Sequence, residues 1–301
     1  MKNYSLGIDI GGTKTSFGII DIKNGKIIKK IEIKSKTFKS DNKNLKNITD
    51  NALKIIQFVK EEHSIKIKKI GIGVPELINN EGIIKGEFNF KWHNLNFQKH
   101  FKKFNIIAKP DSDVRNAIRG EKLYGAGRKY KNFIFVNIGT GLSYALYQNK
   151  LIYSGYNGFA IHFASSAINL FNPENNNKFN LIPEDYYSGK SIAKILKKLG
   201  KKDYIKDCTK ISKLTVNQKK YLKNIGESLG SLIALLINIV DPEAVVLGGG
   251  VVINNKLLKK NIIKYTRQYI FAKSCKKMPI INSKLKNDAA LIGAGAIFKK
   301  N

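Results

Sequence analysis

Tyr4-Ser5-Leu6-Gly7-Ile8-Asp9-Ile10, then Gly11-Gly12-Thr13-Lys14, then Thr15 to Asp21, is the stretch that decides the fold. Its apolar opening predicts a buried strand, and the segment beyond the glycines predicts a second one. Two adjacent glycines permit positive φ and remove the Cβ atoms that would keep backbone N–H groups from phosphate oxygens. Thr13 adds a hydroxyl and Lys14 a cation. Asp9, at the end of a buried strand, is placed to hold a water of the Mg²⁺ that accompanies ATP. A plain hairpin also uses a Gly-Gly turn. The aspartate before it and the Thr-Lys after it favour phosphate.

The pattern recurs. Asn132 to Asn137 predicts a strand, Gly139-Thr140-Gly141 a turn, and Leu142 to Tyr147 another strand, with Asn149-Lys150 closing a hairpin. The two glycine turns lie about 130 residues apart, so a duplicated α/β architecture with one phosphate loop per half is expected. Between them, Lys26 to Lys34 predicts a strand after the Asn24-Gly25 turn. Helical spacing runs from Leu45 to His63, Lys69 to Val74 predicts a strand, and Arg115 to Tyr124 a helix. Further on, residues 166–185 predict a polar loop, and Ser188 to Leu199 and Val216 to Val240 predict helices. Ala244 to Leu247 predicts a strand entering Gly248-Gly249-Gly250, whose bare backbone offers a flat surface for adenine or ribose. A strand-to-helix turn needs only one glycine. Asn255 to Phe271 and Ala289 to Lys299 predict the last helices, the final one carrying small residues for close packing.

Composition bounds the partners. The chain has 301 residues, a hydrophobic fraction of 43% and a net charge of +32. Only four of its 54 basic residues are arginine: Arg115, Arg119, Arg128 and Arg267. Nucleic-acid recognition favours the arginine fork, so solvated lysine faces and no nucleic-acid partner are expected. A positive field would still draw in anionic ligands. The longest apolar run, Leu232 to Val240, is too short to span a bilayer, and the N-terminus carries no signal-peptide pattern. A cytoplasmic protein without a membrane partner is expected. Cys208 and Cys275 form neither a disulfide framework nor a zinc-ligand set.

These pieces, in this order, resemble the repressor–ORF–kinase (ROK) family of sugar kinases and regulators, within the wider fold of hexokinases, actin and heat-shock ATPases. Gly71-Ile72-Gly73-Val74-Pro75, Asp113 to Glu121, Gly155 to Ala160, Glu184 to Gly189 and Leu291 to Ala294 each resemble a family motif. The resemblance implies a duplicated actin/hexokinase-like, ribonuclease H-like α/β fold. Its two domains would comprise 1–112 with 289–301, and 113–288, and would enclose ATP, Mg²⁺ and a sugar-like acceptor in an interdomain cleft. It implies a homodimer, and Asp113 as the general base that takes a hydroxyl proton during γ-phosphoryl transfer. Asp113 could also be a helix N-cap, and Asp111 is a nearby competitor. The nucleotide set is then Asp9, Gly11, Gly12, Thr13, Lys14, Gly139, Thr140, Gly141, Gly248, Gly249 and Gly250.

Departures gather on the acceptor side, where the implied residues are Glu76, Asn89, Ser112, Asn157, Gly158, His162 and Glu184. Ser112 replaces an asparagine, and Glu76 a glycine. His162 stands at the sugar-binding glutamate, although a satisfied loop histidine would fit there equally. Ser165 replaces the zinc histidine, and Asn175 to Ile182 holds no cysteine of the knuckle, so no zinc is expected. Two readings follow: a kinase with an unusual acceptor, or an ATP- or sugar-binding sensor whose acceptor chemistry has decayed. The regulators carry an N-terminal helix-turn-helix; here the phosphate turn starts within ten residues of Met1, which speaks against that class.

Overall fold

The computed structural model describes residues 4–200 and 214–299, so Cys208 lies outside the described residues. The chain divides into two compact units: 1–129 with 145–160 and 288–301, and 130–144 with 161–287. This differs from a boundary at 112/113. The helix after Ser112 stays with the first unit because Arg115 and Arg119 both pair with Asp111 there.

The first unit is built on a sheet ordered β3-β2-β1-β4-β5. Its strands are β1 (Tyr4–Ile10), β2 (Lys14–Asp21), β3 (Ile27–Lys34), β4 (Lys69–Val74) and β5 (Ile107–Ser112). β1, β2 and β3 are antiparallel neighbours, while β1, β4 and β5 run parallel. Leu6, Ile10, Phe17, Ile19, Ile70 and Ile72 are fully buried, as the apolar runs require. Helix α1 (Asp41–His63) opens on Ser40, whose side chain accepts from the Lys43 N–H. Trp92 is buried, stacks on Phe90 at 4.0 Å and donates its indole N–H to the Asp41 carbonyl, so it is a core residue. Short helix α2 (Phe97–Lys102) precedes β5, and α3 (Asp113–Tyr124) follows it directly.

The closing helix α9 covers Ala289–Gly295, and a 3₁₀ turn continues over Ala296–Phe298. Its small residues do allow close approach. A Cβ on Gly71 would fall 1.7 Å from the Ala294 carbonyl oxygen, and one on Gly293 would fall 1.7 Å from that of Asn116. Any side chain at either position would push the helix off β4 or α3.

The second sheet is ordered β12-β11-β6-β7-β8. It comprises β6 (Phe133–Ile138), β7 (Leu142–Gln148), β8 (Leu151–Tyr153), β11 (Ala244–Gly248) and β12 (Ile280–Asn282). Read from β8, this is the same order as the first sheet. The first strand of each sheet is central, a hairpin lies on one side and two parallel strands lie on the other. The duplication inferred from two glycine turns therefore extends to whole sheets. Positive φ at Asn149 (53°) and Lys150 (64°) makes the β7–β8 turn the tight hairpin the sequence predicts.

Residues 166–185 are more ordered than a loop: β9 (Ile168–Asn172) and β10 (Asn177–Leu181) form an antiparallel hairpin, and α4 (Pro183–Tyr187) follows. Helix α5 (Gly189–Lys198) precedes α6 (Val216–Val240), α7 (Gly250–Asn254) and α8 (Lys256–Tyr269). The short apolar run within α6 understates that helix. Its 25 residues are long and apolar enough to cross a membrane by length and composition, and half of its most apolar window is buried in the protein. Gly230 brings its backbone against α8, where a Cβ would meet the Thr266 nitrogen at 2.8 Å.

Candidate functional site

In the first unit, two carboxylates flank a missing side chain. A Cβ on Gly73 would lie 3.4 Å from Asp9 Oδ1, 3.6 Å from the Asp113 Cα and 3.2 Å from Asn116 Nδ2. Gly73 at the end of β4 thus keeps open the space where the end of β1 and the start of α3 converge. Burial raises the Asp113 pKa to about 6, partly opposed by the Val114 N–H and Arg115. Burial, then the charge of Asp113, raises Asp9 to about 7. Neither carboxylate is in an ion pair among the described residues. Asp9 is a hard oxygen donor short of positive charge, the kind of group that suits Mg²⁺ or its water.

Asp111, two residues from Asp113, has the opposite fate. Its Oδ1 accepts from Arg115 Nε at 2.5 Å and its Oδ2 from Arg119 Nη2 at 2.6 Å. Burial alone would raise its pKa, but Arg119 and Arg115 outweigh burial and hold it below the usual value. A carboxylate clamped by two guanidinium groups is a poor proton acceptor. Of the two aspartates, only Asp113 is outside an ion pair among the described residues. The helix N-cap is neither of them: Ser112 Oγ accepts from the Arg115 N–H at 3.2 Å, which leaves Asp113 in the first helical turn.

The first glycine turn differs from its expected mechanism. Gly11 and Gly12 do not have positive φ. Glycine is needed for proximity instead. A Cβ on Gly12 would lie 2.7 Å from Asn89 Oδ1, and one on Gly11 would lie 2.9 Å from the Lys14 carbonyl oxygen. Thr13 is exposed, and Lys14 Nζ contacts Glu32 at 2.8 Å. Lys14 and Lys30 hold Glu32 down to about 2. Glu76 is buried and turned inward. Its carboxylate accepts the backbone N–H groups of Phe88 (2.7 Å), Asn89 (2.6 Å) and Phe90 (3.0 Å). Its evident work is to fix the loop that sets Asn89 beside Gly12.

Asn157 is exposed, whereas Gly158 is buried at φ +86°, a conformation only glycine takes freely. The Gly158 carbonyl accepts from Arg115 Nη1 at 2.5 Å. One arginine therefore ties the loop at 158 to Asp111 and the start of α3. Sequence reasoning weighed Arg115 only for nucleic acid and missed this.

In the second unit, the Gly139-Thr140-Gly141 turn is closed by Gly139 N–H donating to the Gly141 carbonyl at 3.1 Å. Glu184 braces it. One carboxylate oxygen accepts the Leu142 N–H at 2.9 Å, and the other accepts Ser165 Oγ at 2.6 Å. Ser165 in turn lies 3.2 Å from His162 Nδ1. Partial desolvation lowers the His162 pKa and Glu184 opposes it. His162, Ser165 and Glu184 thus form one hydrogen-bonded group beside the turn.

The three glycines divide. A Cβ on Gly248 would strike the Phe135 ring at 2.1 Å, and one on Gly249 (φ +91°) would strike the Ile138 carbonyl at 2.3 Å. Packing demands both. Gly250 has nothing nearer than 3.9 Å and leaves open space. Asn137 joins this region to the glycine turn: its amide lies 2.7 Å from the Gly249 Cβ position and 3.4 Å from that of Gly139. Asn137 precedes Gly139 as Asp9 precedes Gly11, a correspondence the duplicated pattern already contained.

A model of the ROK family matches residues 5–301. A glucokinase of Thermotoga maritima is 23% identical over 98% of this chain and 97% of its own length. A xylose repressor of Bacillus subtilis is 24% identical over 98% of this chain and 76% of its own length. The crystal structure of a ROK family glucokinase from Streptomyces griseus, in complex with glucose and AMPPNP, superposes with a TM-score of 0.78 at 20% identity, covering 98% of this chain and 99% of that one.

Proposed function

We propose that this chain, which belongs to the ROK family, is an ATP-dependent kinase that phosphorylates a hydroxyl of a sugar or sugar derivative. The observation that carries the proposal is Asp113: a desolvated carboxylate left unclamped, two residues from one that is clamped. An acceptor hydroxyl within hydrogen-bond reach would give its proton to Asp113 as its oxygen attacks the γ-phosphorus. The new O–P bond forms, the bond to the β-phosphate oxygen breaks, and ADP leaves. A raised pKa near 6 makes Asp113 a better proton acceptor than an ordinary aspartate while leaving it ionised at neutral pH.

Asp9 would hold Mg²⁺ through water, and the metal would neutralise phosphate charge. Within the first unit, Gly11, Gly12 and Thr13 are assigned to the nucleotide. Asn89, Asn157 and Gly158, of the same unit, are assigned to the acceptor. With this reading go a cytoplasmic setting and a homodimer. Glucokinase and N-acylhexosamine kinase reactions are the first to try.

Incubation with ATP, Mg²⁺ and a panel of hexoses, amino sugars and polyols, read by phosphorus NMR, tests the proposal. A new phosphomonoester is expected with at least one acceptor. A second reading, a sugar sensor without catalysis, draws on the equally broad similarity to the xylose repressor. Saturable sugar binding with no phosphomonoester from any acceptor would favour it.

A further inference from the structure

In the first unit, the loop from Gly155 to Gly158 is not held by its own side chains. Tyr156 is 97% exposed, Asn157 is exposed, and neither side chain makes a hydrogen bond or ring contact among the described residues. Both glycines take positive φ, +76° and +86°. Gly158 lies so close to the segment after β4 that a Cβ would fall 2.7 Å from the Ile78 carbonyl oxygen. The bond within the loop, from the Gly158 N–H to the Gly155 carbonyl, is long at 3.4 Å. The carbonyls are held from outside instead. Asn80 Nδ2 donates to those of Gly155 (3.2 Å) and Tyr156 (2.8 Å), and Arg115 Nη1 to that of Gly158 (2.5 Å). Asn80, Arg115 and Ser154, the residue before the loop, also line a cavity of about 310 Å³. The root of the loop therefore rests on these bonds and not on a packed core.

Arg115 reaches the loop because its usual second partner is taken. A guanidinium group commonly gives two parallel N–H bonds to one carboxylate. Here Asp111 Oδ2 is held by Arg119 Nη2 at 2.6 Å, and Oδ1 accepts Arg115 Nε at 2.5 Å and the Ser112 N–H at 2.8 Å. Nη1 is left for the Gly158 carbonyl. Asp111 thus fixes the junction of β5 and α3, where Asp113 begins, and through Arg115 it also fixes the loop. In the sheet Asp111 is the register partner of Gly73, and Gly73 that of Asp9. One clamped carboxylate therefore sets Asp113 and the loop in a common frame. Arg115 is buried, so releasing the loop would leave a buried donor unmet.

We infer that Arg115 and Asn80 are positioning residues for the acceptor, holding the loop from Gly155 to Gly158 in its sugar-binding form before the sugar arrives. The inference rests on the assignment of Asn157 and Gly158 to the acceptor. Each residue acts through loop carbonyls, without touching the sugar. Freed from either anchor, the loop samples other conformations, and sugar affinity falls with the fraction of chains whose loop is in place. Once bound, the sugar orders the loop, so the loss appears in KM and not in kcat.

Calorimetric titration of the full chain with glucose, mannose, N-acetylglucosamine and N-acetylmannosamine, and separately with AMPPNP and Mg²⁺, tests the role. Asn80→Ala removes the donor to Gly155 and Tyr156 and leaves the Asp111 clamp alone. Arg115→Lys keeps the positive charge that acts on Asp113 and loses the fork. Melting curves confirm that each variant folds. At least one sugar should bind the unaltered chain, and its affinity should fall roughly tenfold in each variant while AMPPNP affinity stays within about threefold. In turnover, KM for that sugar should rise by the same factor, with kcat held within about threefold. Sugar affinity unchanged in both variants would overturn the inference. So would sugar and AMPPNP weakened alike, a fall in kcat with KM unchanged, or no binding of any of the four sugars. Turnover that is indifferent to both substitutions would sink this inference and leave the kinase reading standing. Sugar binding that depends on both anchors, with no phosphomonoester formed, would do the reverse.

Discussion

Asp111 and Asp113 sit two residues apart, one closing a strand and the other opening a helix, yet their surroundings drive them in opposite directions. Arg115 and Arg119 take both oxygens of Asp111, so its charge is structural. Asp113 accepts the Val114 N–H at 2.7 Å and is in no ion pair among the described residues; its Cα borders the space kept by Gly73, which Asp9 Oδ1 also borders. The lesson is that two neighbouring carboxylates are told apart by the partners each one lacks. A similar contrast separates Glu76, saturated by three backbone donors, from Asp9, which has no ion-pair partner among the described residues.

The contrast is broken most severely at Asp113. Asp113→Asn should lower phosphoryl transfer by about 10²–10⁴-fold, the range expected for loss of a general base, while ATP affinity in equilibrium binding stays within about threefold. Glu76→Gln should cost roughly 2–4 kcal/mol in denaturant unfolding, since an amide NH₂ would face N–H donors that now meet a carboxylate. Asp9→Asn should do the reverse. The folded pKa is about 7 against an unfolded value near 3.8, so between those values the native state holds more proton and stability falls as pH rises. The variant should therefore gain up to about 4 kcal/mol at pH 8 without Mg²⁺, and less than half of that at pH 5, by thermal melting. His162→Ala, at an exposed side chain, should shift stability by no more than about 0.5 kcal/mol.

Much of this fold was legible because its signals are local. Alternation and apolar runs mark β1, β2 and β4, and two similar glycine turns mark the duplication. β5 escaped because Ile107-Ala-Lys-Pro-Asp-Ser mixes charge and proline into a strand, tolerable because β5 is the sheet's edge and pairs only with β4. The β9–β10 hairpin escaped because its asparagine-rich sequence lacks a buried face, with Leu170, Phe171 and Phe179 exposed.

At the site, residue types were legible and their commitments were not. Glu76 and Glu184 read as acceptor-binding carboxylates, and only coordinates reveal the N–H and O–H donors they accept. Gly248 and Gly249 read as a ligand surface, whereas Phe135 and Ile138 account for both. Arg115 joins Asp111 to a carbonyl 43 residues away, a long-range tie that no spacing rule encodes.

The most direct test of the central claim is the pH dependence of phosphoryl transfer at saturating Mg²⁺. If Asp113 is the base, kcat/KM for the best acceptor should be level above neutrality and fall about tenfold per pH unit below an apparent pKa near 6, as the carboxylate takes up its proton. A profile that stays flat from pH 8 down to pH 5, in protein that remains folded, would contradict it.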